Sequence, residues 1–359
     1  MRNAAEETTT LLAFDVGGSN CRAAAAVLRG GELEPHRRLP TSISEPVSSK
    51  SELRGFVGSV VELLGEGGAP ARATVAFAGP VTGNCVQVTN WPAQDRVTMQ
   101  ELIDWGLPAS GTLMVNDAEA GAHGLVRLFR DKGARAEAFH PLLVTASTAA
   151  AGSGNMVLLI PGTGLGCAGI VRLEDAEGEA GFVPVASEGG HLPVAPLDAE
   201  HGELIEQLRG DLHGATPSWE NFVSGPGLVT IYRRLRVEES ESAADLSRGA
   251  DAAAAIAEAA IAGRDRRSIL ALELYYRCVG GFAQTLALAY LARGGVFIAG
   301  SSTRRNRRFI EGTSLADEFL ANHEQRELLE TIPVYLVLEE LNLLGGLALI
   351  ASRRRESLR

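Results

Sequence analysis

Residues 11–20 read LLAFDVGGSN, an apolar run that carries one aspartate and is followed by two glycines and two polar residues. The apolar part, Leu11 to Val16, predicts a buried strand, and the turn at residues 17–20 leads into a second apolar run, Cys21 to Leu28. We therefore predict a β-hairpin. Because glycines let the backbone approach an anion and the polar pair adds donors, the turn is a candidate phosphate cradle. An ordinary polar hairpin turn would explain the same residues if the motif stood alone.

A second motif of this kind, PGTGLG at residues 161–166, follows the apolar strand predicted at Met156 to Ile160. Its amides and a threonine hydroxyl can face phosphate oxygens, and a pair of such hairpins is more specific than either one. The glycines here also match the dinucleotide fingerprint, but that fingerprint must open a helix and the following residues predict a strand. A Walker A loop is excluded because neither lysine of the chain follows a glycine.

Strand and helix patterns recur in both halves of the chain. Further strands are predicted at residues 73–78, 112–115, 156–160, 169–173, 295–299 and 334–338. Helices are predicted at residues 53–64, 99–104, 118–130, 204–212, 228–235, 251–262, 268–293 and 343–352. We predict a two-domain α/β protein with its boundary near residue 118 and its active site between the domains.

Composition narrows the class of protein. The 33 lysines and arginines against 44 aspartates and glutamates give a net charge of -11, which opposes general attraction to nucleic acid or to an anionic membrane. No apolar run approaches the roughly 20 residues that span a bilayer. The four cysteines lie far apart without a C-x-x-C pair. We expect a cytoplasmic protein without nucleic-acid or membrane partners.

Two polar segments are candidates for binding and catalysis. Asn116-Asp117 ends a predicted strand and begins a helix, so Asp117 is either a general base for an attacking hydroxyl or a helix cap. Ser187 to His191 is too glycine-rich for a helix and too polar for a core. Its carboxylate and imidazole suit a ligand rich in hydroxyl groups, although a structural role for the histidine is also open.

In their order along the chain, these motifs resemble those of the bacterial-type glucokinases, the hexokinase relatives without a zinc cluster, and of related protist enzymes. The resemblance covers nearly the whole chain. Its landmarks are DVGGSN (15–20), AGPVTG (78–83), TNWP (89–92), ND (116–117), PGTGLG (161–166), EGGH (188–191), SGPGL (224–228) and GGVFIAG (294–300).

The resemblance implies the actin-like ATPase superfold, an α/β architecture of two ribonuclease-H-like lobes with an interlobe cleft. The smaller N-terminal lobe would span residues 1–118 and the larger C-terminal lobe 119–359, with the final helix able to pack back on the first lobe. It also implies an ATP-dependent, Mg²⁺-requiring kinase that acts on the 6-hydroxyl of glucose, and it favours a homodimer.

The resemblance further assigns site residues, with Asp117 as the base. The sugar contacts would be Asn116, Asp117, Glu188, His191 and Glu220. The nucleotide contacts would be Phe14, Asp15, Val16, Gly17, Gly18, Ser19, Asn20, Gly162, Thr163, Gly164 and Gly300, with adenosine near Gly300 and the Leu343 helix. Asp15 would hold Mg²⁺ through water.

The chain departs from the family pattern at three places. Phe14 precedes the aspartate where many members carry glycine, and Ile160-Pro161 replaces the glycine-alanine of bacterial members. Ser301 stands where a second glycine is typical, and we interpret the basic cluster that follows at residues 304–308 as a solvated face.

Three other functions stay open. The first is a kinase for another hexose. The second is a non-catalytic sugar sensor, although the usual helix-turn-helix would not fit in the roughly ten residues before the first strand. The third is a phosphohydrolase of the same superfold, against which the polar segment at residues 187–191 argues.

Overall fold

The structure, a computed structural model, describes residues 8–39, 41–65, 68–89, 91–92, 94–130, 135–146, 148–174, 180–235, 245–249 and 251–352. Contacts divide the chain into a first unit, Met1–Ala134 with Glu340–Arg359, and a second unit, Arg135–Glu339. The division falls after residue 134 and not near residue 118, because the helix that begins at Asp117 packs within the first unit.

The strands are β1 (Thr9–Val16), β2 (Asn20–Arg29), β3 (Glu32–Pro35), β4 (Ile43–Pro46), β5 (Arg72–Phe77), β6 (Val81–Thr82), β7 (Cys85–Gln87), β8 (Arg96–Thr98), β9 (Thr112–Asn116), β10 (Phe139–Leu143), β11 (Met156–Pro161), β12 (Leu165–Glu174), β13 (Ala180–Ser187), β14 (Gly295–Ile298) and β15 (Val334–Val337). The helices are α1 (Lys50–Gly65), α2 (Met99–Asp104), α3 (Asp117–Arg130), α4 (Arg135–Ala138), α5 (Ala199–Asp211), α6 (Gly225–Arg234), α7 (Ala252–Ile261), α8 (Arg266–Tyr290), α9 (Ser301–Arg305), α10 (Arg307–Ile310), α11 (Leu315–Phe319), α12 (Arg326–Leu329) and α13 (Leu341–Ser352).

The sheet of the first unit has the order β3-β2-β1-β5-β9, with β4 also paired to β2. Strands β1 and β2 form the predicted antiparallel hairpin, and the register brings Val16 opposite Cys21. Strands β1, β5 and β9 run parallel. The carboxyl ends of these three strands therefore lie at one edge of the sheet, and both the first glycine turn and Asn116 are at that edge.

Strand β1 alternates between two cores, as the period of two in a strand requires. Phe14 packs edge-on against Phe56 of α1, with ring centroids 6.1 Å apart, in the core on one face. On the other face Leu11 and Ala13 pack with apolar residues of α13, including Leu347. The strand is buried on both faces because helices cover the sheet on each side.

Helices α3 and α13 of the first unit approach each other closely at two glycines. A Cβ atom built on Gly345 would stand 1.7 Å from the carbonyl oxygen of Ala120, and one built on Gly124 would stand 2.3 Å from that of Leu341. A side chain at either position would collide with backbone, which cannot rotate away. The contact therefore requires glycine.

The sheet of the second unit has the order β10-β15-β14-β11-β12-β13. Five of its strands, β13-β12-β11-β14-β15, repeat the order and the directions of β3-β2-β1-β5-β9. This topology is the ribonuclease-H-like arrangement, so the expected α/β fold class is confirmed in each unit. Strand β10 adds an antiparallel edge next to β15.

All eight predicted strands and all eight predicted helices are present, most of them with shifted ends. Helix α5 begins at Ala199, five residues before the predicted start, because Asp198 caps it by accepting a hydrogen bond from the backbone of His201. The segment between α3 and β11 includes α4 and the edge strand β10. Residues 236–244 and 353–359 lie outside the described residues. Among the described helices, none is long and apolar enough to cross a membrane.

Candidate functional site

The first glycine turn, between β1 and β2, is closed and anchored by backbone groups. The amide of Gly17 donates to the carbonyl of Asn20 at 2.9 Å, and the indole nitrogen of Trp91 donates to the carbonyl of Gly18 at 3.2 Å. Ser19 and Asn20 are exposed, whereas Gly18 is buried. The turn thus exposes two polar residues to solvent, and hydrogen bonds to its backbone hold it in place.

Asp15, the aspartate of this turn, is buried and held by two side chains. Its Oδ2 accepts from Nη2 and Nε of Arg22 at 2.5 and 3.1 Å, and its Oδ1 accepts from the amide of Asn342 at 3.0 Å. The other guanidinium nitrogen of Arg22 pairs with Glu340 at 2.7 Å. Two carboxylates thus share one guanidinium, which leaves a net charge of about -1 at this point of the first unit.

This donor set fits Mg²⁺ held through water. The guanidinium of Arg22 donates to one oxygen of the Asp15 carboxylate, and the side-chain amide of Asn342 donates to the other. The remaining lone pairs of these oxygens can accept hydrogen bonds from water. Within the described residues no three His, Cys, Asp or Glu side chains cluster as a metal-binding group. A dedicated protein cage is not required, because Mg²⁺ in kinases is commonly bound by one or two carboxylates together with waters and phosphates.

The second glycine turn, between β11 and β12, is also tied to its surroundings by backbone. The amide of Gly162 donates to the carbonyl of Gly164, and the carbonyl of Gly162 accepts from the amide of Gly225, both at 2.8 Å. Gly162 and Thr163 are exposed. Gly300 has a φ of 113°, and a Cβ there would stand 2.7 Å from the carbonyl of Pro161. The structure therefore places Gly300 beside this turn.

Asn116 and Asp117 lie where β9 ends and α3 begins, as predicted. Asp117 is the first residue of the helix and is half-buried, with Oδ1 2.8 Å from the amide of Ala118. The side-chain amide of Asn116 donates to the carbonyl of Gly79 at 3.2 Å, and its oxygen accepts from Ala118 at 2.9 Å. The carboxylate of Asp117 thus lies at the positive end of a 14-residue helix.

Glu188 and His191 follow the end of β13, and residues Gly189–His191 form a single 3-10 turn. The side chains of Glu188 and His191 are 54% and 60% exposed, and Oε2 and Nε2 are 3.8 Å apart. A Cβ on Gly190 would stand 2.2 Å from the carbonyl oxygen of Leu165. The turn therefore packs directly on the residue that follows the second glycine loop, and both polar side chains remain open to a ligand.

Glu220 lies in a 3-10 turn, Trp219–Asn221, whose Trp219 is buried in the core of the second unit. The backbone amide of Leu165 donates to Oε2 of Glu220 at 2.8 Å. A Cβ on Gly164 would stand 2.7 Å from the same oxygen. Glu220 thus contacts the second glycine loop, a contact that the sequence did not predict.

Within the second unit, the structure brings three predicted segments together at Leu165: the glycine loop, the Glu188 to His191 turn and Glu220. Within the first unit, the amide of Ala78 donates to the carbonyl of Val16, at the end of β1, at 2.9 Å.

Sequence reasoning missed three supporting residues, Trp91, Arg22 and Asn342. Only Trp91 carried a signal, as part of the TNWP landmark.

His201 supports the second unit from inside the core. Its Nδ1 accepts from the amide of Leu197 at 3.2 Å, its Nε2 is 3.6 Å from Sγ of Cys278, and its ring packs edge-on against Phe222. Burial, chiefly, lowers the pKa of His201 from 6.5 to about 4, with Arg277 acting in the same direction and Asp198 against it. The imidazole is therefore neutral in the folded protein.

We expect His201 to make the protein less stable in mild acid. The unfolded chain binds the proton at a higher pH than the folded one. The contribution of His201 to the free energy of unfolding is therefore complete above pH 6.5 and is lost as the pH falls towards 4. The difference amounts to about 3 kcal/mol. Urea unfolding at steps between pH 7 and pH 4 measures it. His201→Asn, which keeps an acceptor for Leu197, should flatten this part of the pH dependence; an unchanged slope would contradict the expectation.

Comparison with known proteins gives consistent results. A family model described as glucokinase matches residues 12–354. A glucokinase of Mesorhizobium japonicum is 30% identical over 355 residues, covering 96% of this chain and 94% of the relative. The structure of a glucokinase from Balamuthia mandrillaris in complex with glucose shares 26% identity, a TM-score of 0.81, and coverage of 98% of this chain and 96% of that chain. A ROK family glucokinase from Streptomyces griseus, in complex with glucose and AMPPNP, has a similar fold, with 20% identity, a TM-score of 0.61 and coverage of 95% and 98%.

Proposed function

The chain belongs to the glucokinase family, and from this premise we propose that it transfers the γ-phosphoryl group of ATP to the 6-hydroxyl of glucose. The products would be glucose 6-phosphate and ADP, as in the first step of glycolysis. The observation that carries the proposal is the meeting at Leu165 of a glycine loop with Glu220 and the Glu188 to His191 turn. A phosphate-binding loop in contact with groups suited to hydroxyl ligands is what a sugar kinase requires.

Glucose is proposed to contact residues that can pair with hydroxyl groups. These residues are Asn116, Asp117, Glu188, His191 and Glu220. Each sugar hydroxyl both donates and accepts, so a mixed set of carboxylates, an amide and an imidazole leaves none of them without a partner. The exposure of Glu188 and His191 supports this assignment, because both side chains are accessible to a ligand.

ATP is proposed to contact the backbone of the two glycine turns and the region of Gly300. The exposed Ser19, Asn20 and Thr163 add side-chain donors to the turn amides. Mg²⁺, held through water by Asp15, would neutralise part of the charge on the phosphates. Arg22 and Asn342 would keep the Asp15 carboxylate in place for this role.

Asp117 is proposed as the general base. One oxygen of its carboxylate takes the proton of the 6-hydroxyl of glucose. At the same time, the oxygen of that hydroxyl forms a bond to the γ-phosphorus. The bond between the γ-phosphorus and the bridging oxygen breaks, and ADP leaves with the electron pair. Asp117 then releases the proton to solvent. The turn amides favour the phosphate charge during transfer because they are fixed before the reaction begins.

The proposal is tested by an assay of ADP release with ATP and Mg²⁺ in the presence of glucose, mannose, fructose, galactose, N-acetylglucosamine or no sugar. We expect release that depends on glucose. Release that is faster with another hexose would favour a kinase for that sugar, and release without sugar would favour a phosphohydrolase. If ADP appeared under none of these conditions, a sugar sensor or another phosphoryl donor would replace the proposal.

Replacement of Trp91 is expected to change the KM for ATP and not the KM for glucose. Trp91→Phe keeps an aromatic ring in the core but leaves the carbonyl of Gly18 without its indole donor. The loss of one neutral hydrogen bond should raise the KM for ATP by about 3- to 10-fold, with the KM for glucose nearly unchanged. Steady-state kinetics with each substrate varied in turn measures both constants.

Trp105→Phe is the matched control. Trp105 is half-buried in the same unit, and among the described residues its indole nitrogen takes no hydrogen-bond partner. The KM for ATP of this variant should stay at the wild-type value. Equal effects of the two substitutions would show that ring size, and not the bond to Gly18, determines the outcome.

A further inference from the structure

Glu220 contacts the second glycine loop through one carboxylate oxygen and keeps the other available. We propose, on the basis of the proposed function, that Glu220 is a positioning residue for the phosphate loop as well as a sugar contact, so that it couples glucose binding to nucleotide affinity. Glucose bound to the carboxylate would strengthen the single hydrogen bond between Glu220 and the loop, and the loop would then bind nucleotide more tightly.

The loop is anchored at two points, and both anchors belong to one short segment. The amide of Leu165 donates to Glu220, and the carbonyl of Gly162 accepts from the amide of Gly225. The hydroxyl of Ser224 donates to the carbonyl of Glu220 at 2.8 Å, which ties the two anchors together. Residues 220–225 therefore hold the loop at its beginning and at its end.

The turn that carries Glu220 is held in place by the core, and its carboxylate lies against the loop. Its Oε2 lies 2.7 Å from the position that a Cβ of residue 164 would take, so the carboxylate lies against the backbone of Gly164. Trp219, the preceding residue, is buried and packs against Phe282 with ring centroids 5.8 Å apart. The turn that carries Glu220 is thus fixed by the core, and a shift of the carboxylate must change its bond to the loop.

The second oxygen of Glu220 is the one proposed to face glucose. Among the described residues, Oε1 takes no hydrogen bond, and the residue is half-buried. A sugar hydroxyl that donates to Oε1 would restrict the carboxylate to the orientation in which Oε2 accepts from Leu165. Since coupling between two ligands is reciprocal, glucose should then tighten nucleotide binding by the same factor as nucleotide tightens glucose binding.

Three variants separate the two contacts of Glu220. Glu220→Gln retains an oxygen that can accept from Leu165 and removes the charge. Glu220→Asp retains the charge, but its side chain is one methylene shorter and no longer reaches the amide. His191→Ala removes a proposed sugar contact for which the structure gives no hydrogen bond to the loop.

The experiment is calorimetric titration of the full-length protein with adenylyl imidodiphosphate and Mg²⁺, with and without saturating glucose. Without glucose, we expect Glu220→Asp to raise the Kd about 5- to 10-fold, the effect of roughly one lost hydrogen bond to the loop, whereas Glu220→Gln and His191→Ala stay near wild type. Glucose should tighten nucleotide binding in the wild type, and this gain should be largely lost in Glu220→Asp. Far-ultraviolet circular dichroism of each variant confirms that it is folded.

The outcomes separate this inference from the proposed function. A wild-type protein that binds no nucleotide, or that binds it and phosphorylates no sugar, would refute the proposed function. A wild type that phosphorylates glucose while folded Glu220→Asp binds nucleotide as tightly as wild type would refute the positioning role alone. Equal weakening by Glu220→Asp and His191→Ala would also overturn it, since loss of any sugar contact would then suffice.

Discussion

Replacing Asp117 with asparagine should lower kcat by about a thousandfold, within the range of 10²- to 10⁴-fold that general-base catalysis supplies. The amide has the same shape as the carboxylate and can still pair with a sugar hydroxyl, but it cannot take the proton. The affinity for glucose should therefore change much less than kcat. Initial rates of ADP release and calorimetric titration with glucose measure the two effects separately.

Asp104→Asn provides the control for this substitution. Asp104 is an exposed residue of α2 whose side chain accepts from Gln100 at 2.9 Å, and it is not among the residues assigned to the site. Its kcat should equal that of the wild type. If Asp117→Asn retained a kcat within about threefold of wild type, Asp117 could not be the base, because a proton acceptor of the reacting hydroxyl contributes more than that.

The largest effect on stability is expected for Gly345→Ala. The added methyl group would overlap the carbonyl oxygen of Ala120 at 1.7 Å, so α3 and α13 must move apart and the apolar contacts around them are lost. We expect the free energy of unfolding to fall by about 3 kcal/mol, the upper end of the usual cost of overpacking. Denaturant unfolding followed by circular dichroism measures the change.

Gly55→Ala is the matched control, at a helix position where an added methyl group meets no other atom. Gly55 is exposed in the interior of α1, and no atom lies within 4 Å of a Cβ built there. Because alanine favours helix over glycine, this variant should gain about 0.5 to 1 kcal/mol. A loss of stability at Gly55 as large as that at Gly345 would mean that glycine is needed for a reason other than the approach of the two helices.

Local patterns in the sequence predicted most elements of the fold. Strand β1 is apolar on both faces and ends at two glycines, so both its burial and its hairpin were evident from residues 11–20. The edge strand β13 was not predicted, because its residues after Phe182 include exposed valines alternating with small or cyclic residues. Such a strand is stabilised mainly by its pairing with β12, which lies in another part of the chain.

The sequence by itself determined the two glycine turns, the polar residues after β9 and β13, and the family to which they belong, because each is a short run whose chemistry depends on neighbouring residues. Only the tertiary structure decided that Glu220 bonds to Leu165, that Trp91 anchors Gly18, and that Asn342 and Arg22 hold Asp15. Asp15 and Arg22 face each other across the β1–β2 hairpin, but the other contacts join residues that lie 55 to 327 positions apart. A long separation carries no local pattern, and the contact forms only when the sheets and helices bring the two residues together.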